Sequence, residues 1–396
     1  MHELTPDEIE IIKHKERMLT YLPNYVQDFV RAKEQHGISN QSLNKYLYRI
    51  RYYFTWLIYS EDYPEIKTNV PLPQNPDETI CYEEIEYDLV KLQHLNNMPL
   101  MTIQAFLAYF KSENIHPQRN IKEANAVAYR SEKSVSAMIS TLKSFYHYLA
   151  VLSDKDGETY IERNIMNKIQ IPRSQETAAY RAEEISTSIL PSNSFMPFLE
   201  FLEDSEQGYL SHISGADKVK TTLFMRDKER DIAMIALLLA TGIRVGELVK
   251  IKMSDINFMK QTIRITRKAN KKDTVYVMDY AFKRLLNYIK LRNKYPNAAS
   301  TPFLFVTYHK VSKPIRIRTV QMIVEKYTAA YFNTSVYPHK LRHSFSVAFI
   351  ENSGEISMLR DLLGHTDIKT TSLYVNMASS KKVNALERLN SILNTL

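Results

Sequence analysis

The longest apolar run of the chain lies between Ile232 and Ile243, and the charged residues Asp231 and Arg244 bound it. A helix that spans a bilayer needs about 20 consecutive apolar residues, so this run is too short to cross a membrane. An apolar run of this length is typical of a helix that is buried on all sides in a protein core. We therefore expect a soluble chain with this helix inside a domain.

The length of 396 residues favours two domains, because single domains usually contain about 100–200 residues. Hydrophobic residues make up 44% of the sequence, which is enough apolar surface for two cores. The single cysteine, Cys81, excludes an internal disulfide and a thiolate-rich metal site, and it suits a reducing compartment. The charged stretch from Met1 to Arg17 lacks the apolar core of a secretory signal. We therefore expect a cytoplasmic protein.

The first third of the sequence predicts helices with one apolar face. From Ser42, a candidate N-cap, to Leu57, apolar residues recur at intervals of three and four, and similar patterns follow near residues 101–110 and 134–149. The opposite face of the first helix alternates cations with tyrosines, which is typical of a helix that contacts a phosphate backbone, although a solvated face is the alternative. The net charge of +8 also suits a polyanionic partner. The candidate DNA contacts are Lys45, Arg49, Arg51, Arg130 and Lys143.

The helical periodicity weakens between residues 153 and 192, where turn-forming residues such as Gly157 occur. A loss of periodicity together with turn signals is typical of a connection between domains. We therefore predict a helical first domain over residues 1–155, a linker over residues 156–192 and a second domain over residues 193–396.

The second domain is predicted to contain helices and one β-hairpin. A helix is expected over residues 195–202, followed by a polar loop over residues 208–220. Residues 262–266 and 274–278 alternate in polarity as strands do, and the polar segment between them predicts a hairpin whose tip includes Lys271, a further candidate DNA contact. The fold class is therefore mainly α with a small β-sheet in the second domain.

Two segments of the second domain carry side chains that suit phosphate chemistry. Arg244 follows the apolar run through a glycine turn, where its guanidinium could hold a phosphate by two hydrogen bonds or could pair with Glu247. Lys268 lies at the expected hairpin tip, where it could protonate a leaving oxygen or only keep the strands soluble. Each segment alone is also compatible with a structural role.

Two further segments add histidines, a second arginine and a tyrosine. If the segment from Pro338 to His343 is helical, His339 and Arg342 share one face. Lys340 stands where a zinc-binding helix of this spacing requires glutamate, so we expect no metal there. Farther along, the sequence Leu-Gly-His-Thr-Asp ends at residue 367. It contains His365, and Tyr374 is the ninth residue after that histidine.

In this order and spacing, the segments resemble the catalytic motifs of the tyrosine recombinase, or phage integrase, family. The family pattern is an arginine after Ala-Thr-Gly, a lysine in a β-hairpin, His-x-Leu-Arg-His, and Leu-Gly-His with a tyrosine nine residues on. The resemblance covers the whole second domain, and the helical first domain is similar to the family's core-binding domain. It assigns six catalytic residues: Arg244, Lys268, His339, Arg342, His365 and Tyr374.

Within the family, several passages resemble the single-recombinase Xer members of streptococci and lactococci. They lie at residues 157–164, 176–183 and 228–233. The acidic segment around residues 77–86 departs from that pattern.

The resemblance also implies a mechanism without metal or nucleotide cofactors. Tyr374 would attack a DNA phosphate to give a 3′-phosphotyrosine, while Arg244 and Arg342 hold the non-bridging oxygens. His339 would accept the tyrosine proton and Lys268 would protonate the leaving 5′ oxygen, while the last histidine of the set bonds the phosphate.

The partners implied by the family are duplex DNA with specific recombination sites and further copies of the chain. The two domains would enclose the duplex as a clamp, and a monomer or weak oligomer would become a homotetramer on synapsed DNA. The apolar stripe over residues 383–396 would dock on a neighbouring subunit or fold back on its own domain. We expect no membrane partner.

Chromosome dimer resolution, with or without an accessory protein, is the expected role. Integration or transposition of a mobile element uses the same chemistry and is the alternative. A non-catalytic DNA-binding regulator would have no use for Tyr374, and a topoisomerase with related chemistry would act without a tetramer.

Overall fold

The structure is a computed structural model, and it describes residues 3–66, 68, 82–112, 130–153, 157–172, 189–204, 206–214, 218–267, 270–308, 312–353, 355–364, 371 and 374. The chain forms two compact units, Glu8–Gln175 and Glu176–Leu396, and Met1–Asp7 belongs to the second unit. The division at residue 175 falls within the segment predicted as a linker. Among the described helices, none has the length and apolarity that crossing a membrane requires.

The elements that the structure describes in the first unit are helices. Its longest helix is α3, whose N-cap is Ser39 rather than Ser42, because the Ser39 hydroxyl accepts a hydrogen bond from the Ser42 amide. The apolar stripe predicted for this helix is confirmed, since Leu43, Ile50 and Phe54 are fully buried. The helices are α1 (Pro6–Leu19), α2 (Asn24–Gln35), α3 (Asn40–Tyr59), α4 (Leu92–Asn96), α5 (Leu100–Ser112) and α6 (Glu132–His147).

The core of the first unit continues into the segment predicted as a linker. A π-helical turn, Tyr148–Leu152, follows α6 directly. Beyond it, Ile161, Ile165 and Met166 are buried in the first core. The start of the expected linker is therefore packed, because its apolar side chains cover the end of α6.

The second unit contains eight helices in its described part. The predicted loop over residues 208–220 is partly wrong, because α8 lies within it and α9 already starts at Lys218. The prediction of a buried central helix is confirmed, since every residue of α9 from Arg230 to Thr241 is buried. The helices are α7 (Phe195–Glu203), α8 (Tyr209–Ser214), α9 (Lys218–Thr241), α10 (Val245–Leu248), α11 (Asp279–Arg292), α12 (Ile317–Phe332), α13 (Pro338–Ser353) and α14 (Ile356–Leu363).

The predicted hairpin is present as part of a three-stranded antiparallel sheet in the order β1-β2-β3. The strands are β1 (Ile256–Asn257), β2 (Thr262–Thr266) and β3 (Lys272–Tyr276). Ile263 pairs with Val275, and both side chains are buried in the second core. One face of the hairpin is thereby fixed to the domain.

Candidate active site

Arg244 is placed by a turn that only glycine can form. Helix α9 ends at Thr241, and Gly242 then adopts a left-handed φ of +61°. A Cβ at this position would lie 2.4 Å from the Phe345 side chain, so a larger residue would collide with α13. The chain turns there, and Arg244 becomes the N-cap residue of α10.

Arg244 is paired with Glu247, as the second interpretation of its sequence position predicted. Its amide nitrogen donates to the Glu247 carboxylate at 2.8 Å, and Nη1 donates to the other carboxylate oxygen at 2.9 Å. Glu247 is nearly buried, while the Arg244 side chain is 38% exposed. The pairing therefore orients the guanidinium and leaves part of it exposed to solvent.

Arg342 is buried, with 1% of its surface exposed. It donates to the carbonyl oxygen of Gly242 at 2.7 Å and to that of Leu363 at 2.9 Å. Burial and the positive charge of Arg244 lower the pKa of Arg342 to about 10, so it remains a cation at neutral pH. Arg342 therefore connects α13 to the glycine turn and to the end of α14.

Arg267 is a buried residue of this region that the sequence motifs did not reveal. Its guanidinium donates to the carbonyl oxygens of Leu362 at 2.6 Å and Leu363 at 2.9 Å, and Nη1 lies 3.7 Å from the Glu247 carboxylate. The alternation of the strand could have predicted that Arg267 is buried, because position 267 follows the inward-facing positions 263 and 265 at the same interval of two residues. An arginine at such a position indicates a buried polar partner.

Tyr374 meets the His-x-Leu-Arg-His segment through the second histidine of that motif. The Tyr374 oxygen and His343 Nδ1 lie 2.9 Å apart, and Tyr374 is 3% exposed. The imidazole rings of His339 and His343 are one helical turn apart, with centroids 4.4 Å apart in an edge-to-face arrangement. The first histidine was assigned to the tyrosine proton by family resemblance, and the structure adds His343 as a direct partner of the hydroxyl.

The electrostatics of the site favour a protonated Tyr374 and a neutral His339. Burial raises the pKa of Tyr374, while a hydrogen bond with Ser346 and the charges of Arg342 and Arg244 act in the opposite direction. Desolvation by the atoms around the ring, and then the same two arginines, lower the pKa of His339, although the residue remains exposed at the protein surface. At neutral pH, Tyr374 is therefore un-ionised and His339 is uncharged.

Four of the six residues assigned by resemblance lie in one region of the second unit. The charges of Arg244 and Arg342 act on both His339 and Tyr374. The other two, Lys268 and His365, lie outside the described residues. The same holds for residues 383–396, for residues 173–188 of the predicted linker and for residues 77–81 of the acidic segment. Within the part of the chain that the structure describes, no cluster of three or more metal-binding side chains occurs.

The candidate DNA contacts of the first unit differ in how far they take part in packing. Lys45 is exposed on α3, whereas the Arg49 guanidinium donates to the Thr141 hydroxyl at 3.0 Å. The Lys143 amine donates to the carbonyl oxygen of Met166 at 2.9 Å. Lys45 is therefore the residue of these three whose side chain most clearly faces solvent.

The remaining candidate contacts are stacked on aromatic rings or exposed near the hairpin. Arg51 is 8% exposed and lies 3.7 Å from the centre of the Tyr82 ring. Arg130 lies 4.3 Å from the centre of the Phe110 ring. Lys271 is exposed just before β3, and its role in DNA contact, like that of the others, stays a prediction.

Comparison with known proteins identifies the class of this protein. The model of the phage integrase family matches residues 216–381, which include the hairpin, α13 and Tyr374. Tyrosine recombinase XerS of Streptococcus mutans serotype c is 30% identical over 371 residues, which cover 93% of this chain and 96% of XerS. Tyrosine recombinase XerS of Lactococcus lactis subsp. lactis is 28% identical over 383 residues, which cover 96% of this chain and 99% of XerS. The chain therefore belongs to the tyrosine recombinase family and is a site-specific recombinase of the Xer-like kind.

Solved structures share the same fold. The pre-cleavage complex of the XerH site-specific recombinase bound to difH substrate aligns with a TM-score of 0.55 at 14% identity, over 96% of this chain and 97% of that chain. The post-cleavage complex of XerH with palindromic difH aligns with a TM-score of 0.53 at 18% identity, over 76% of this chain and 74% of that chain. Both comparisons support the mainly helical fold class with a small sheet.

Proposed function

We propose that this recombinase cuts and rejoins DNA strands through a covalent bond between Tyr374 and a 3′ phosphate. The observation that carries the proposal is the position of the Tyr374 hydroxyl, which contacts His343 and lies within the electrostatic influence of Arg342 and Arg244. A nucleophile, a candidate base and two phosphate-binding cations are the groups that phosphoryl transfer without a metal requires.

The two arginines have separate tasks in this scheme. Arg244, which is partly exposed and oriented by Glu247, binds the non-bridging oxygens of the incoming phosphate. Arg342 is held by two backbone carbonyls and supplies a fixed positive charge that costs no reorganisation during the reaction. By the family resemblance, His339 is a candidate proton acceptor, Lys268 protonates the leaving 5′ oxygen, and the last histidine of the set bonds the phosphate.

The proposed substrate is duplex DNA that carries a specific recombination site. The net charge of +8 supports a polyanionic partner, and the two XerH structures are complexes with difH substrates. We propose that the two units enclose the duplex as a clamp, that four copies assemble on two synapsed sites, and that the protein acts on DNA in the cytoplasm. An accessory protein could direct the reaction without changing this chemistry.

The proposed biological role is the resolution of chromosome dimers. Likeness to XerS over nearly the whole chain supports this role over integration of a mobile element. Deletion of the gene should then produce filamentous cells with unsegregated chromosomes, and a recombination site near the gene should convert plasmid dimers to monomers.

Covalent adduct formation on a suicide substrate tests the chemistry. The binding site is first selected from a random duplex library with the Tyr374→Phe variant, which lacks only the reacting oxygen. A duplex with this site and a nick next to the cleavage position is then incubated with the unaltered protein in EDTA. We expect an adduct that protease digests and that blocks the 3′ end of the DNA.

The variant Arg244→Lys tests whether Arg244 holds the phosphate by two hydrogen bonds. Lysine keeps the charge but cannot make two parallel hydrogen bonds, so adduct formation should fall by about two orders of magnitude or more. Absence of an adduct with the unaltered protein, or a normal rate for Arg244→Lys, would contradict the proposed chemistry.

A further inference from the structure

His343 is the histidine that contacts the reacting oxygen, although the family motif assigned it no role. The hydrogen bond between His343 Nδ1 and the Tyr374 hydroxyl spans 2.9 Å, within the normal range. We propose that His343 is a catalytic residue that accepts the Tyr374 proton during strand cleavage and returns it during rejoining. This inference rests on the proposed function of Tyr374 as the nucleophile.

The surroundings of Tyr374 make a base necessary. Its side chain is 3% exposed, and burial raises the pKa of the hydroxyl above the usual value of a tyrosine. The hydroxyl is therefore protonated at neutral pH, and a neutral phenol is a weak nucleophile toward a phosphate diester. An imidazole nitrogen within hydrogen-bond distance is the most common solution to this problem in enzymes.

Other described groups near the hydroxyl are unsuited to accept its proton. Arg342 is a cation whose guanidinium nitrogens carry only donor hydrogens, and it donates to the carbonyls of Gly242 and Leu363. Ser346 hydrogen-bonds Tyr374, but a neutral hydroxyl is a very weak base. Among these contacts, His343 is the group with a basic lone pair.

His339 keeps the ring of His343 in place without adding charge beside it. The two rings meet edge to face at 4.4 Å, with an interplanar angle of 76°, which is a favourable geometry for aromatic rings. Because the pKa of His339 is lowered, this ring is neutral at physiological pH and does not oppose proton uptake by its neighbour. His339 is thus a positioning residue for His343, and this assignment replaces the role of proton acceptor that the family resemblance gave it.

Each proton and each bond is accounted for in both strand cleavage and strand rejoining. In cleavage, the O–H bond of Tyr374 breaks, the new O–P bond forms, the proton moves to His343 Nδ1, and the P–O5′ bond breaks. The 5′ oxygen leaves with a proton from Lys268, as the family resemblance assigns. In rejoining, a 5′ hydroxyl attacks the phosphorus, its proton returns to the lysine, and Tyr374 leaves with the proton held by His343.

The first arm of the test replaces the base and keeps the hydrogen bond. In His343→Asn, the amide oxygen occupies nearly the place of Nδ1, so it can accept the Tyr374 hydrogen bond but cannot take up the proton. The single-turnover rate of adduct formation should fall by about 10²–10⁴-fold, with DNA affinity within a few fold of that of the unaltered protein. His212→Asn, on the exposed face of α8, is the matched control and should keep the full rate.

The second arm distinguishes a base from a structural support. Difluorotyrosine is incorporated at position 374 in the His343→Asn and unaltered backgrounds, which makes the hydroxyl more acidic. If His343 removes the proton, the defect of His343→Asn should shrink by about tenfold or more, because a more acidic phenol needs less help. If His343 only supports the structure, the defect should be the same with either tyrosine.

His343→Gln repeats the comparison with a second side chain, so that poor folding of one variant does not decide the outcome. A rate near that of the unaltered protein in either folded variant, or a defect unaffected by fluorination, would overturn the role of His343. Failure of the unaltered protein to form any adduct would instead overturn the proposed function, so the two results are separable.

Discussion

Arg267 and Arg342 donate to the same carbonyl oxygen, that of Leu363, and both distances are 2.9 Å. Leu363 is the last residue of α14, where unpaired carbonyls and the helix dipole attract cations. One arginine comes from the end of β2 and the other from α13. The shared carbonyl therefore connects the hairpin and α13 to the segment that leads to His365 and Tyr374.

Loss of the Arg267 guanidinium should destabilise the second unit. In Arg267→Met, the carbonyls of Leu362 and Leu363 lose donors, and the nearly buried Glu247 loses a nearby cation. Removal of one partner from a buried charged network typically costs about 3–5 kcal/mol, which urea unfolding should detect. Arg264→Met, in the strand that precedes Arg267, is the matched control, because the Arg264 side chain is 64% exposed. Equal stabilities of the two variants would contradict the structural role of Arg267.

Gly242, in the turn before Arg244, should tolerate no side chain, whereas Gly246 should tolerate a methyl group. Gly242→Ala places a Cβ 2.4 Å from Phe345 on a left-handed backbone, and we expect a loss of about 1–3 kcal/mol together with reduced cleavage. Gly246→Ala places its Cβ 3.9 Å from Ile317, an ordinary contact, and alanine favours the helix. Thermal unfolding and adduct assays of both variants test the turn, and a harmless Gly242→Ala would contradict it.

The lowered pKa of His339 depends on nearby cations and should respond to Lys340. Desolvation, Arg342, Arg244 and Lys340 all disfavour the charged imidazolium. Lys340→Gln removes one of these charges, so the pKa of His339 should rise toward the ordinary histidine value, and the ring should become protonated at a higher pH. Titration by NMR with labelled histidine measures this directly.

Lys283→Gln, an exposed change on α11, is the control for the titration of His339. The pKa of His339 in this variant should match the pKa of His339 in the unaltered protein. A pKa that falls or stays constant in Lys340→Gln would show that this lysine does not act on the imidazole.

Lys45 is expected to bind DNA phosphate, and Lys143 is expected to support the fold of the first unit. Lys45→Ala should weaken binding and lower the slope of log affinity against log salt by about 1, because one fewer counterion is released. Lys143→Ala removes the hydrogen bond to the carbonyl of Met166 and should mainly lower the unfolding temperature. Fluorescence anisotropy at several salt concentrations separates the two effects, and an unchanged slope for Lys45→Ala would place this helix face in solvent.

Periodicity was enough to predict the helical class, the buried helix α9 and the hairpin, and the motif order selected four residues that lie in one region of the second unit. They failed where the outcome depends on tertiary packing. The first half of helix α9 buries only Phe224 against the core, so most of its residues are polar. The sequence of this half therefore resembles a loop, although the helix begins at Lys218. The contacts of Arg267 and His343 were hidden for the same reason, since their partners lie far away in the sequence.

Identification of the residue that carries the DNA tests the central claim most directly. The adduct formed on the suicide duplex is digested with nuclease and trypsin, and the modified peptide is sequenced by mass spectrometry. We predict a nucleotide phosphate on Tyr374, loss of the adduct in Tyr374→Phe, and a normal adduct in Tyr337→Phe, which alters a tyrosine that is 61% exposed in the same unit. A phosphate linked to a serine or to another tyrosine, or an adduct that persists in Tyr374→Phe, would contradict the account.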